Sequence, residues 1–216
     1  MTNAAAAPGM AVLATAVAFA SFAILHVVSP EFQPSWRMVS EYANGHHRWL
    51  LSVMFVAWGL GSFALAMALG PVTHGWLGRT GLLFLVLAGI GEMMAAFFDI
   101  NHRLHGPAAM IGIPSLPIAA VLLTIALRRS SELVAPPAWS MHLTWISFVL
   151  MGAAMMLWMR SLSQAGVDLS AQAGPLMVLP AGVTPVVGWA NRLLIAAYML
   201  WVLLTALPIL RHPPTS

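Results

Sequence analysis

Six stretches of about 20 mainly apolar residues, each long enough to cross a bilayer as an α-helix, constrain this chain more than any other feature. They run from about Gly9 to Ser29, Trp49 to Gly70, Thr80 to Phe98, Ala108 to Leu127, Trp139 to Met159 and Gly188 to Leu210. In hydrocarbon every backbone N–H and C=O must be satisfied internally, so only helices and closed barrels span. Continuous runs of this length predict helices. The charged fraction is 7%, against roughly 25% in a soluble domain, which is too little to coat a water-facing globule. The expected fold is therefore all-α: a polytopic integral membrane bundle of about six transmembrane helices, forming a single domain over 1–216 and embedded in a lipid bilayer.

The charges that remain exclude several function classes. The formal net charge of +3 rests on nine arginines and no lysine. None of them form a basic stripe that would track a phosphate backbone, so nucleic acid is not an expected partner. The absence of lysine removes Schiff-base chemistry. The absence of cysteine removes disulfides, iron–sulfur clusters and thiolate zinc sites. The first apolar run has no Lys or Arg before it, so it reads as a retained helix rather than a signal peptide.

With six helices, loops one (Pro30 to Arg48), three (Asp99 to Pro107) and five (Arg160 to Val187) share one membrane face. The termini share the other with loops two (Pro71 to Arg79) and four (Arg128 to Pro137). The arginines of loops two and four favour a cytoplasmic side for the termini by the positive-inside rule. Trp36, Trp49, Trp76, Trp139 and Trp189 fall near helix ends, where amphipathic rings sit at the headgroups. Trp58, Trp145, Trp158 and Trp201 read as packing residues. Pro114 and Pro117 in the fourth helix free backbone carbonyls near Met110 and Ile113.

Ionisable groups inside a membrane are costly and each asks for a reason. Glu92 lies within the third helix. If that helix continues, Asp99, His102 and His105 follow on the same ridge, from mid-membrane to the loop face, until Gly106-Pro107 breaks it. Loop one brings Ser40, Glu41, Tyr42, His46 and His47 to the same face, with His26 at the end of the first helix and Asp168 in loop five. His26 and His142 approach opposite faces, which disfavours a bis-histidine haem.

Three readings of this cluster differ in chemistry. Asp99, His102 and His105, with Glu41 or His46, would hold a divalent metal such as zinc, manganese or iron, activating water in an intramembrane hydrolase. Alternatively the same groups form a metal-free polar pocket for a lipid-like or isoprenoid ligand. Glu92 and Asp99 are then the candidate catalytic groups, and Ser40, Glu41, His102, His105 and Arg192 the candidate binding groups, with Arg192 on an anionic headgroup. In the third reading the groups are structural, and the protein is a non-catalytic accessory subunit of a homo- or hetero-oligomer.

Several segments carry a resemblance. Ser40-Glu41-Tyr42-Ala43 is followed by Arg48-Trp49-Leu50-Leu51 and Trp58-Gly59-Leu60-Gly61-Ser62. Phe97-Phe98-Asp99 is followed by His102 or His105, Gly106 and Ser115-Leu116-Pro117-Ile118-Ala119. Asn191-Arg192-Leu193-Leu194-Ile195-Ala196-Ala197-Tyr198 is followed by Trp201. Together these resemble the DUF998 family of small bacterial and archaeal membrane proteins over roughly Val12 to Leu210. Phe98 stands where the family pattern has proline. The resemblance implies architecture rather than activity, and a shared role for Ser40, Glu41, Asp99, His105 and Arg192; the expected location of such a bundle is the bacterial inner membrane.

Overall fold

The computed structural model describes residues 3–130, 135–167 and 176–211. Among them there are six long helices and no strand: α1 (Asn3–Val28), α2 (Arg48–Leu69), α3 (Gly75–Phe97), α4 (His105–Arg129), α5 (Ala138–Gln164) and α6 (Val187–Arg211). All six are long and apolar enough to cross a membrane. A short 3-10 helix, Val39–Asn44, lies in loop one.

Several helices run beyond their apolar segments. α3 starts at Gly75 rather than Thr80, α4 at His105 rather than Ala108, and α5 continues to Gln164. The apolar run marks the hydrocarbon, whereas the backbone ladder can continue into the headgroup layer, where exposed polar side chains meet water. Gly106-Pro107 does not interrupt a helix. Both residues sit in the first turn of α4, where a missing proline N–H has no intrahelical partner to lose.

The helices pack in sequence, each on the next, and α6 closes the ring on α1. α2 and α6 also meet across the middle, so these two carry much of the core. Tyr198 and Trp201 of α6 and Met54, Leu65 and Leu69 of α2 are almost wholly buried. α3 and α4 approach most closely at Gly91 and Gly112, where a Cβ on Gly91 would collide with the Gly112 backbone. In lipid, this kind of small-residue contact replaces the hydrophobic drive between helices.

Four tryptophans assigned to helix ends (Trp49, Trp76, Trp139 and Trp189) are exposed, as interfacial rings should be. Trp36 is buried instead. Loop one folds back over the bundle, and Trp36 stacks on Trp158 of α5 with centroids 6.0 Å apart. Trp58, Trp158 and Trp201 are packing residues, while Trp145 is exposed.

Candidate functional site

A cavity of about 310 Å³ lies between α2, α3, α4, α5 and α6, beneath loop one. Its upper lining comes from Met38 and Ser40 of loop one, Ile100, His105 at the start of α4, and Asn191 near the start of α6. Its lower lining includes Trp58, Ile113, Met151 and Tyr198. Asn191 and Tyr198 are seven residues apart on α6, about 10 Å along the axis. The cavity therefore runs from the face of loops one and three towards the middle of the bundle. Its walls are overwhelmingly apolar.

Glu92 is set in this wall and is itself buried. Its Oε2 accepts a hydrogen bond of 2.7 Å from the Ser62 hydroxyl of α2. Among the described residues this is its one hydrogen bond, and no cation pairs with it. Glu92 lies five positions before the last residue of α3, about 7–8 Å, so it lies nearer the loop-three face than the middle of the helix. The Gly91–Gly112 contact beside it brings α4 against α3 and shapes that wall.

Tyr198 was not singled out by sequence, although its partner carries a signal. Pro117 has no N–H to offer Ile113, four residues earlier. The Tyr198 hydroxyl donates to that freed Ile113 carbonyl at 2.7 Å. Trp58 also lines the cavity, and its buried indole N–H has no acceptor among the described residues.

Arg192 lies outside the cavity lining, at the centre of a second buried cluster under loop one. Its Nε donates to His26 Nε2 at 2.7 Å. Its Nη1 donates to the carbonyls of Pro34, Arg37 and Gly188 at 3.2, 2.6 and 3.1 Å. Its Nη2 donates to the Tyr42 hydroxyl at 3.2 Å. Because His26 accepts at Nε2, its Nδ1 carries the proton and donates to the Phe22 carbonyl at 2.7 Å. The planar five-donor fork of arginine suits such a convergence of acceptors.

Glu41 belongs to this second cluster. Its Oε2 lies 2.6 Å from Arg37 Nε in an ion pair, although that N–H is not aligned as a hydrogen bond. Its Oε1 accepts from the Met38 backbone N–H at 2.7 Å. Burial pushes the Glu41 carboxyl above the ordinary carboxylate range, outweighing the pull of the Met38 N–H and of Arg37. Arg37 also donates to the Leu176 carbonyl of loop five at 2.7 Å and lies over the rings of Trp36 and Phe32. Arg37 and Glu41 stand four positions apart, but the chain between them runs from coil into the 3-10 helix, so helical spacing gives no signal for the pair.

The loop-three residues fall elsewhere. α3 ends at Phe97, so Asp99 and His102 do not continue the ridge of Glu92. Asp99 is exposed, and its Oδ1 accepts from the Asn101 N–H at 2.9 Å, closing a turn. His102 is exposed and accepts from the Leu104 N–H. His105 is half-buried, lines the cavity, and ties α4 to α3 through a 2.9 Å contact between Nδ1 and the Phe98 carbonyl. Of the sequence-assigned groups, Ser40, Glu92 and His105 thus line the cavity, Glu41 and Arg192 lie in the buried cluster, and Asp99 and His102 lie at the surface. Asp168 lies outside the described residues. Among those residues no three His, Asp or Glu side chains gather as a metal site would require.

Six spanning helices around a partly open apolar cavity define the class: a multi-pass α-helical membrane protein. The family described as "Protein of unknown function (DUF998)" matches residues 12–208. The chain belongs to that family. Comparison with curated proteins gives no match, and neither does comparison with solved structures.

Proposed function

We propose that the chain binds a lipid-like molecule, such as an isoprenoid, in the cavity between α2 and α6, with Glu92 as the polar contact. The observation that carries this reading is an apolar cavity of about 310 Å³ whose wall holds a buried carboxyl with only the Ser62 hydroxyl bound to it. Ligand pockets are mostly apolar, occupy about 300–1,000 Å³ and use few polar groups to orient the ligand. Three other polar lining groups are engaged, while the Trp58 indole N–H has no acceptor among the described residues. Asn191 Oδ1 accepts from the Val39 N–H, the Tyr198 hydroxyl is bound to Ile113, and His105 Nδ1 to Phe98.

Glu92 can therefore accept from a ligand hydroxyl or amine, or act as an acid toward an unsaturated ligand. Asp99 and His102 play no part at this cavity in the reading proposed. The compartment that suits it is the bacterial inner membrane, with both termini cytoplasmic.

The test is lipid extraction and mass spectrometry of the protein purified in nanodiscs, beside Ala109→Phe, which fills the cavity, and Glu92→Gln. The wild type should retain an apolar compound that Ala109→Phe loses. Glu92→Gln should hold it about threefold to tenfold less tightly, the worth of one hydrogen bond. Identical lipid content in all three, with each folded by thermal scanning, would reject ligand binding and favour the non-catalytic accessory subunit.

A further inference from the structure

A second recess opens where α2 begins and α3 ends, at the membrane face that loops one and three share. It measures about 250 Å³ and is lined by Ala43, Arg48, Trp49, Ser52, Phe97 and Asp99, among others. Its position is set by two helix termini: Arg48 is the first residue of α2, and Asp99 lies two residues past the last residue of α3. An Asn101–Asn44 hydrogen bond of 2.9 Å ties loop three to the 3-10 helix and fixes the rim.

The recess holds one cation and one anion that do not pair with each other. The Arg48 side chain has no hydrogen bond or ion pair among the described residues. The Asp99 carboxylate has the Asn101 N–H on Oδ1 and no cation beside it. Trp49 and Phe97, 60% and 72% exposed, flank these charges with large apolar surfaces at the level where rings meet the headgroup layer.

The geometry points to a binding site for a zwitterionic phospholipid of the surrounding bilayer, with a phosphate on Arg48 and a primary ammonium on Asp99. A guanidinium offers paired N–H donors that match two phosphate oxygens. The carboxylate accepts the ammonium N–H groups. Trp49 and Phe97 cover the glycerol and upper acyl segments. The order of charges selects among headgroups. Phosphatidylglycerol leaves Asp99 facing an anion with no ammonium between, and phosphatidylcholine presents no N–H to the carboxylate. Phosphatidylethanolamine satisfies both residues. This site shares Ala95 with the wall of the Glu92 cavity, but its two charged groups lie outside that cavity and do not depend on a ligand there.

Native mass spectrometry of the full chain, released from nanodiscs containing equal parts phosphatidylethanolamine, phosphatidylcholine and phosphatidylglycerol, tests the assignment. The wild type should retain one phosphatidylethanolamine in preference to the other two. Arg48→Gln should lose that lipid by about tenfold or more, the scale of a charged hydrogen-bonded contact. Asp99→Asn can still close the turn on Asn101, so it should keep a phospholipid but lose the preference for ethanolamine over glycerol. Ala109→Phe should leave this lipid in place, which separates the site from the cavity. Unchanged lipid number and proportions in both Arg48→Gln and Asp99→Asn would overturn the site. Equal occupancy by water-soluble phosphoethanolamine would overturn its assignment to a bilayer lipid.

Discussion

Arg192 and Glu92 are both buried ionisable groups near the same membrane face, yet their surroundings are opposite. Arg192 is met by three backbone carbonyls, an imidazole nitrogen and a phenol. Glu92 is met by a single hydroxyl and an open cavity. A buried charge bonded through all three of its nitrogens holds structure together, because every acceptor it reaches loses a partner when it goes. A buried carboxyl with unused capacity beside empty space is where a ligand can find chemistry. Type and burial alone do not distinguish the two; the inventory of partners does.

The largest expected effect tests the first half of that contrast. Arg192→Met should destabilise the protein by about 3–5 kcal/mol, since it strands several buried acceptors at once. Arg192→Lys should recover little, because an ammonium cannot span the same fork. Thermal unfolding followed by tryptophan fluorescence in detergent reads both. A midpoint within a degree or two of wild type would break the comparison.

Gly188→Ala is expected to be next. Its N–H donates to the Ser35 carbonyl at 3.1 Å, and a Cβ there would run into the backbone at Pro34, Trp36 and Arg37. Overpacking of this kind costs about 1–3 kcal/mol, and here it would lift loop one from α6. Faster proteolysis within loop one, together with a lower unfolding midpoint, is the expected result.

Glu92→Gln sharpens the other half. The amide oxygen can still accept from Ser62, so stability should change by less than about 1 kcal/mol, while retained lipid changes. Loss of stability equal to that of Arg192→Met would place both residues in one structural class.

The smallest effect concerns pH. Folded Glu41 holds its proton to higher pH than an unfolded glutamate, because burial outweighs its bonds to Met38 and Arg37. Its contribution is thus fully present below the unfolded value and is lost as pH rises through the folded value. From about pH 4 upward, the wild-type midpoint should fall relative to Glu41→Gln, which cannot ionise. A wild-type midpoint that rises relative to Glu41→Gln over that range would reverse the assigned sign.

The six helices were legible because continuous apolar runs leave the backbone one way to satisfy itself in lipid. The Ile113 carbonyl was legible as a loose end through Pro117, but not the Tyr198 hydroxyl that takes it, 85 positions away. Sequence placed Glu41, Asp99 and Arg192 on one face and so suggested one site. Sharing a face fixes height in the membrane, not lateral position. The contacts that gather Glu41 and Arg192 into one cluster and leave Asp99 outside it join residues about 150 positions apart, such as Arg192 with Tyr42 and Arg37. The fold of loop one was hidden for a different reason: Phe32, Trp36 and Val39, which bury it, have the i, i+4, i+7 spacing of a helix face, yet the chain runs there through turns around Pro34.

The bond from Tyr198 to Ile113 gives the cavity a concealed polarity. While the phenol is in place, the backbone oxygen that Pro117 releases is masked, and the lower wall is greasy. A proline in one helix and a phenol in another thus cancel each other's loose polar atoms, and the deep end of the chamber presents carbon where the sequence alone would put a bare carbonyl.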